Sequence, residues 1–215
     1  MPVQQPLGFM DADLVKGIDV SHLQNVVDWA RVAAAGVQFC YVKATEGEGL
    51  KDVRFPENWD GAQAAGLIRG AYHFFRPGKD AEAQAESFLH VVPSLSAGDL
   101  PPVLDVEVAG PSSASILDGI QTWVEAVENV LGRQPIIYTY PSFWTQSLGG
   151  STRFSGYLLW VAHYTFKAAP TLPRGFNDYV LWQFSEQGHI DGITGNVDLN
   201  RFHGSHDDLN ALAWR

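Results

Sequence analysis

Short apolar or alternating runs recur along the chain from Lys16 onward, and eight of them have the length and the β-branched or aromatic content of strands. They are Lys16–Val20, Phe39–Ala44, Leu67–Phe75, Pro102–Val108, Pro135–Tyr140, Tyr157–Tyr164, Tyr179–Phe184 and Asn196–Phe202. Between the earlier runs the period changes from two to three and four. In Ser113–Leu131, residues Ile116, Ile120, Trp123, Val127 and Val130 make one apolar stripe, and Gly132 supplies a stop. Shorter helices are predicted at Val27–Ala35, Glu57–Ala65 and Lys79–Val92, each between two strand runs. This βαβ alternation predicts a parallel sheet. Eight strands in a chain of 215 residues point to the α/β class and a compact TIM-like barrel, with fewer than eight helices because the last connections are too short. A doubly wound open sheet is the alternative. Against a nucleotide site, Asp19-Val20-Ser21-His22 follows the first strand where a glycine-rich phosphate loop would stand.

The run Pro101-Pro102-Val103-Leu104-Asp105-Val106-Glu107-Val108 places two carboxylates two positions apart in a strand that otherwise reads as core. Alternate residues share a face, so Asp105 and Glu107 point one way and Leu104, Val106 and Val108 the other. Burying two acids side by side raises at least one of their pKa values. Active sites of barrels gather at the C-terminal strand ends. Polar residues stand at the ends of these runs: Asp19, Lys43 and Glu46, His73, Asp105 and Glu107, Tyr138 and Tyr140, His163 and Tyr164, Gln183, and Asp198. Four acids, Asp19, Asp105, Glu107 and Asp198, are therefore expected to face one mouth.

Composition narrows the partners. With 24 acidic against 14 basic side chains the net charge is -10, which argues against nucleic acid or an anionic membrane surface. No run approaches the roughly 20 apolar residues of a spanning helix. Cys40, the single cysteine, lies in an apolar run and reads as a buried small hydrophobe. Residues 1–15 carry no Lys or Arg and read as a loose arm without the features of a secretory signal, leaving 16–215 as one barrel domain. His203 and His206 lie beyond the last strand and read as solvated loop residues, so no metal and no cofactor is expected. No G-x-S-x-G elbow occurs.

The strings KGIDVSHLQ, YVKATEG, GAYHFFRP, PPVLDVEV, PIIYTY, LWVAHY, LWQFS and VDLNRF, in this order and spacing, resemble the lysozymes of glycoside hydrolase family 25, the Chalaropsis-type muramidases. The resemblance covers Lys16 to about Phe202. It implies an irregular eight-stranded barrel and hydrolysis of the β-1,4 bond between N-acetylmuramic acid and N-acetylglucosamine. The implied partner is the glycan strand of peptidoglycan, acted on in the cell wall by an unidentified export route, with a monomer as the default.

Cleaving a glycoside needs a proton for the leaving oxygen and stabilisation of an oxocarbenium-like centre, tasks usually divided between two carboxyl groups. The resemblance and the chemistry together make Glu107 the general acid, held protonated by burial and by the charge of Asp105. Asp105 is expected to organise the substrate's own acetamido group as nucleophile, with retention of configuration, rather than to attack directly. Asp19 and Asp198 match acids lining the family's centre, although Asp19 could cap the following turn and Asp198 could pair with Arg201. Lys43 matches a cationic position there, with a structural ion pair to Glu46 or Asp19 as the alternative. Tyr138, Tyr164 and Trp182 are the aromatic candidates for sugar contact. A family 18 chitinase is the lesser enzyme reading, because Val103 and Leu100 stand where that signature carries further Asp residues. A catalytically silent glycan-binding barrel is the reading from a different class.

Overall fold

The computed structural model describes residues 14–213. Its strands are β1 (Lys16–Val20), β2 (Phe39–Glu46), β3 (Leu50–Lys51), β4 (Ile68–Phe74), β5 (Val103–Asp105), β6 (Ile136–Thr139), β7 (Leu159–Ala162), β8 (Leu181–Gly188) and β9 (Val197–Phe202). The helices are α1 (Trp29–Ala34), α2 (Phe55–Ala64), α3 (Ala81–Val91), α4 (Ser113–Leu131), α5 (Pro141–Leu148) and α6 (His206–Leu212). The sheet order β1-β9-β8-β7-β6-β5-β4-β2-β3, with β1 also paired to β2, closes eight strands into a barrel and leaves β3 as a short hairpin on the rim. All eight predicted runs are strands of that barrel.

One strand runs against expectation. β9 is antiparallel to both β8 and β1. Residues 189–196 alone join β8 to β9, whereas a parallel crossover takes a dozen residues or more, so the chain turns back as a hairpin. The reversal brings the start of β9, not its end, to the C-terminal rim of its neighbours. α5 is also additional to the predicted helices. The arm assigned to residues 1–15 lies outside the described residues except at its end. There, Val15 is buried and its carbonyl accepts from the Phe202 N–H, so this residue belongs to the barrel.

Strand alternation divides the core into two compartments. Outward-facing Ile18, Cys40, Val42, Leu104, Val106, Ile137, Val161 and Leu199 pack against the helices, chiefly α3 and α4 with Phe88, Ile120 and Trp123. Inward-facing Phe39, Tyr41, Val103, Ile136, Trp160 and Leu181 fill the lower barrel, with Val15, Leu209 and Ala213 beneath them. Two glycines make that filling possible. A Cβ on Gly17 would stand 2.2 Å from the Phe39 ring, and one on Gly70 2.2 Å from the Tyr41 ring. The floor is thus solid, and the polar residues lie above it at the C-terminal rim.

α4 is bounded as the sequence predicts. The Ser112 hydroxyl accepts from the Ser115 N–H at its start, and Gly132 ends it in the left-handed conformation at φ 65°. Because the Tyr41 ring is fully enclosed, Gly70→Ala should overpack the floor and lower stability by about 1–3 kcal/mol, as read from chemical denaturation. Adding Tyr41→Leu should recover part of that loss.

Candidate active site

β5 ends with Asp105, and the Val106 N–H still donates to the Tyr138 carbonyl at 2.9 Å. Glu107 follows just beyond this last ladder bond, on the same face as Asp105. Two cavities meet at Glu107 and Tyr138. One, of about 180 Å³, runs down to Asp19, Lys43, Asp105, Trp160 and Asp198. The other, of about 510 Å³, opens toward Tyr140, His163, Tyr164, Thr171 and Glu186. A chain crossing from one to the other passes Glu107. The first cavity is walled on one side by a 3-10 turn (His22–Gln24), whose Ser21 and Gln24 side chains form a reciprocal cap. Asp52 ties that turn to the β2–β3 hairpin by accepting the His22 N–H at 3.0 Å and bonding His22 Nδ1 at 2.8 Å.

The four acids converge as predicted. Asp19 and Asp198 are direct cross-strand partners in the β1–β9 seam and their side chains share a hydrogen bond. Asp19 Oδ2 also accepts from Gln183 Nε2 at 2.9 Å and from Asn200 Nδ2 at 2.7 Å. Burial raises the Asp19 carboxyl above the usual carboxylate range on balance, although the hydrogen bonds from Gln183, Asn200 and Asp198 pull it back down. Asp198 is pushed up to about 9, first by burial and then by the charge of Asp19. Neither is diverted to the alternative roles. Ser21, not Asp19, caps the following turn, and Arg201 lies on the other face of β9, over the rings of Trp182 and Phe184.

Both members of the other pair sit above the usual carboxylate range. Asp105 is raised by burial and then by the charge of Glu107, and its Oδ1 is buried with no hydrogen-bond partner. Glu107 is raised by burial and then by the charge of Asp19, with Lys43 and Arg76 opposing. The expectation that Asp105 supplies the charge acting on Glu107 is corrected here. The more deeply buried Asp105 is itself held toward its neutral form, and the anion that Glu107 feels is Asp19.

Lys43 lines the first cavity and makes the structural pair as well, donating to Glu46 Oε2 at 2.6 Å, while Arg76 holds the other oxygen of Glu46. The hydroxyls of Tyr138 and Tyr164 both donate to Gln183 Oε1, at 3.0 and 2.8 Å. Trp182 is a correction. It neighbours the inward-facing Gln183 on β8, so it points outward, packs with Phe184 in the helix layer and donates its indole N–H to the His163 carbonyl. Trp160, two positions from Ala162 on β7, is the tryptophan that lines the cavity. His73 also faces outward, between Thr45 and Gln84 and stacked on Trp123, where burial lowers it to about 4. Asn200 went unnoticed in the sequence, although its spacing of two from Asp198 marks the shared face. Among the described residues, no group of three or more His, Cys, Asp or Glu is arranged to hold a metal ion.

Residues 18–193 match the family model of Glycosyl hydrolases family 25. The chain belongs to glycosyl hydrolase family 25. Among the relatives of this family 25 chain is Lysozyme M1 of Streptomyces globisporus, 40% identical across 99% of this chain and 76% of the relative. The N,O-diacetylmuramidase of Chalaropsis sp is 34% identical across 93% of this chain and 99% of its own. The crystal structure of the bacterial lysozyme from Streptomyces coelicolor superposes with a TM-score of 0.88 at 39% identity, covering 94% of this chain and 98% of that one. The family 25 chain is thus a glycoside hydrolase of the lysozyme type built on the irregular barrel.

The raised Asp198 has a consequence for stability. In the unfolded chain this carboxyl ionises near pH 4, whereas in the fold it keeps its proton to about pH 9. Between these values the unfolded state binds fewer protons, so this group's contribution falls as pH rises through that window and is intact only below about pH 4. Asp198→Asn should flatten that slope and raise stability at pH 8 by on the order of 1 kcal/mol, checked by denaturation at a series of pH values.

Proposed function

We propose that this chain is an N-acetylmuramidase that cleaves the β-1,4 bond between N-acetylmuramic acid and N-acetylglucosamine in peptidoglycan, with Glu107 as general acid and base. The observation that carries the reading is the position of Glu107 at the junction of the two cavities, beside a buried carboxyl whose Oδ1 has no partner. Burial and the Asp19 charge favour the protonated form of Glu107, as a general acid requires.

In the first step Glu107 gives its proton to the glycosidic oxygen as the bond to the anomeric carbon breaks. The carbonyl oxygen of the substrate's own 2-acetamido group attacks that carbon and closes an oxazolinium ring. Asp105 Oδ1 accepts the acetamido N–H, and the positive charge growing on the ring draws Asp105 toward its anion. Glu107, now ionised, takes a proton from water as that water opens the ring, so two inversions give net retention. Trp160, Tyr138 and Tyr164 supply aromatic surface along the two cavities, and Lys43 stands beside the acids as the counter-cation. The site of action is the wall itself, outside the cytoplasm, and the barrel from Val15 onward acts as one catalytic unit. No described helix is long and apolar enough to cross a membrane.

Glu107→Gln should lower the rate of reducing-end release from purified cell walls by about a thousandfold or more while leaving the fold intact by circular dichroism. Wild-type protein that binds walls without releasing reducing ends would sink the enzyme reading in favour of a silent glycan-binding barrel. Asp105→Asn should reduce kcat by about a hundredfold with a smaller change in KM, and a thiazoline analogue of the oxazolinium ring should inhibit competitively. A covalent glycosyl adduct trapped on Asp105 would overturn the substrate-assisted route.

A further inference from the structure

Hydrogen-bond polarity beneath the four acids can be read outward from one group of fixed character. The indole N–H of Trp160 can only donate, and it donates to Asn200 Oδ1 at 2.8 Å. That contact turns the Asn200 amide so that Nδ2 faces Asp19 and donates to Oδ2 at 2.7 Å. Oδ2 is therefore an acceptor. Gln183 meets the same oxygen at 2.9 Å through Nε2. Its Oε1 is left facing the hydroxyls of Tyr138 and Tyr164, each of which spends its single hydrogen there. Trp160, Asn200 and Gln183 are 2%, 0% and 3% exposed, so water does not compete for the contacts among these three and Asp19.

We infer that Trp160, Asn200 and Gln183 are positioning residues that fix Asp19 as the anion and Asp198 as the acid of their pair, and that Tyr138 and Tyr164 therefore offer the substrate acceptors rather than donors. The inference deepens the muramidase reading and rests on it for its kinetic consequence alone. With two amide hydrogens on one oxygen, Asp19 is stabilised as a carboxylate, and Asp198 completes the set as a protonated donor.

The link to catalysis is electrostatic. Asp19 is faced by Asp198 from β9, by Asp105 and Glu107 from β5 and the residues after it, by Tyr72 from β4, by Tyr138 from β6 and by Tyr164 after β7. Glu107 is faced by Asp19 and Asp105, with Lys43 from β2 and Arg76 after β4 as the opposing cations. Tyr138 from β6 and Tyr140 after it, His163 and Tyr164 after β7, Glu186 from β8 and Asp198 from β9 make up the rest of its surroundings. The charge kept on Asp19 by the amides is thus one that holds the proton on Glu107. A tyrosine limited to accepting suits a substrate N–H or O–H, and it does not compete for the acetamido carbonyl that must attack.

Two measurements test this. Carbon-13 labelling of the aspartate carboxyls in the ligand-free wild-type protein should show Asp198 protonated and Asp19 ionised at pH 7. The reverse assignment would overturn the inference whether or not the protein cleaves walls. Trp160→Phe keeps the ring but frees Asn200 to turn, and Gln183→Met removes one donor while keeping the length. In both, the alkaline limb of the kcat/KM profile on solubilised glycan strands should move to lower pH by about one unit, because Asp19 loses charge and Glu107 its proton. A lower kcat with the limb unmoved would mean these residues serve packing alone and would also overturn the inference. Should either variant fail to fold, the wild-type carboxyl assignment still decides.

Discussion

The closure of the barrel and the field inside it depend on the same contact, the pairing of β1 with an antiparallel β9 that sets Asp19 directly across from Asp198. Backbone hydrogen bonds complete the ring of strands at this seam, and they do so by forcing two carboxyls together away from water. Two such groups cannot both ionise at low cost, so the seam holds a proton between them. The amides of Gln183 and Asn200 converge on one of the two and break the symmetry. From that asymmetry follows the charge that Glu107 meets.

The lower barrel explains how such a seam survives. Gly17 and Gly70 admit the rings of Phe39 and Tyr41, and Tyr41 and Tyr138 pack against Trp160 with ring centroids 4.9 and 5.0 Å away. A dense floor keeps the strands from shifting to relieve the repulsion above them. Trp160 belongs to both regions. Its ring is part of the floor and its N–H is the first donor of the polar network, so packing below sets hydrogen-bond polarity above. The acid cluster is a cost to folding carried by the apolar floor and by the outer layer around Trp123 and Phe88.

Much of this was legible in the sequence because strand period and rim position are local properties. Eight apolar or alternating runs became the eight barrel strands, and the predicted stripe of Ile116, Ile120, Trp123 and Val127 became the buried face of α4, which Val124 and Leu131 complete while the predicted Val130 is exposed. The misses also have physical reasons. The direction of β9 was written in the short 189–196 connection rather than in the strand itself. α5 hid behind the end of β6, although Pro141 at its start and Gly149 after its end, at φ 62°, are a known asymmetry of helix termini. Trp182 and Gln183 are adjacent in one strand and cannot share a face, and applying that parity would have replaced Trp182 with Trp160. What no local pattern could supply is the state of the acids, which depends on contacts such as Gln183 with Asp19, 164 residues apart.

This limit bears on how the reacting carboxyl is recognised. Sequence spacing pairs Glu107 with Asp105 and suggests that one raises the other, as in any two acids on one face. The fold places Asp105 deeper, where burial first and then the Glu107 charge disfavour its ionisation, and sets the Asp19 charge against Glu107 from another strand of the barrel. An acid governed by a neighbour two residues away would lose its proton whenever that neighbour was engaged by substrate. On the proposed route, one governed by Asp19, which is held by buried amides, keeps its proton while Asp105 turns to the acetamido group. The division of labour proposed for Glu107 and Asp105 therefore rests on a third carboxyl that touches neither the leaving oxygen nor the attacking one.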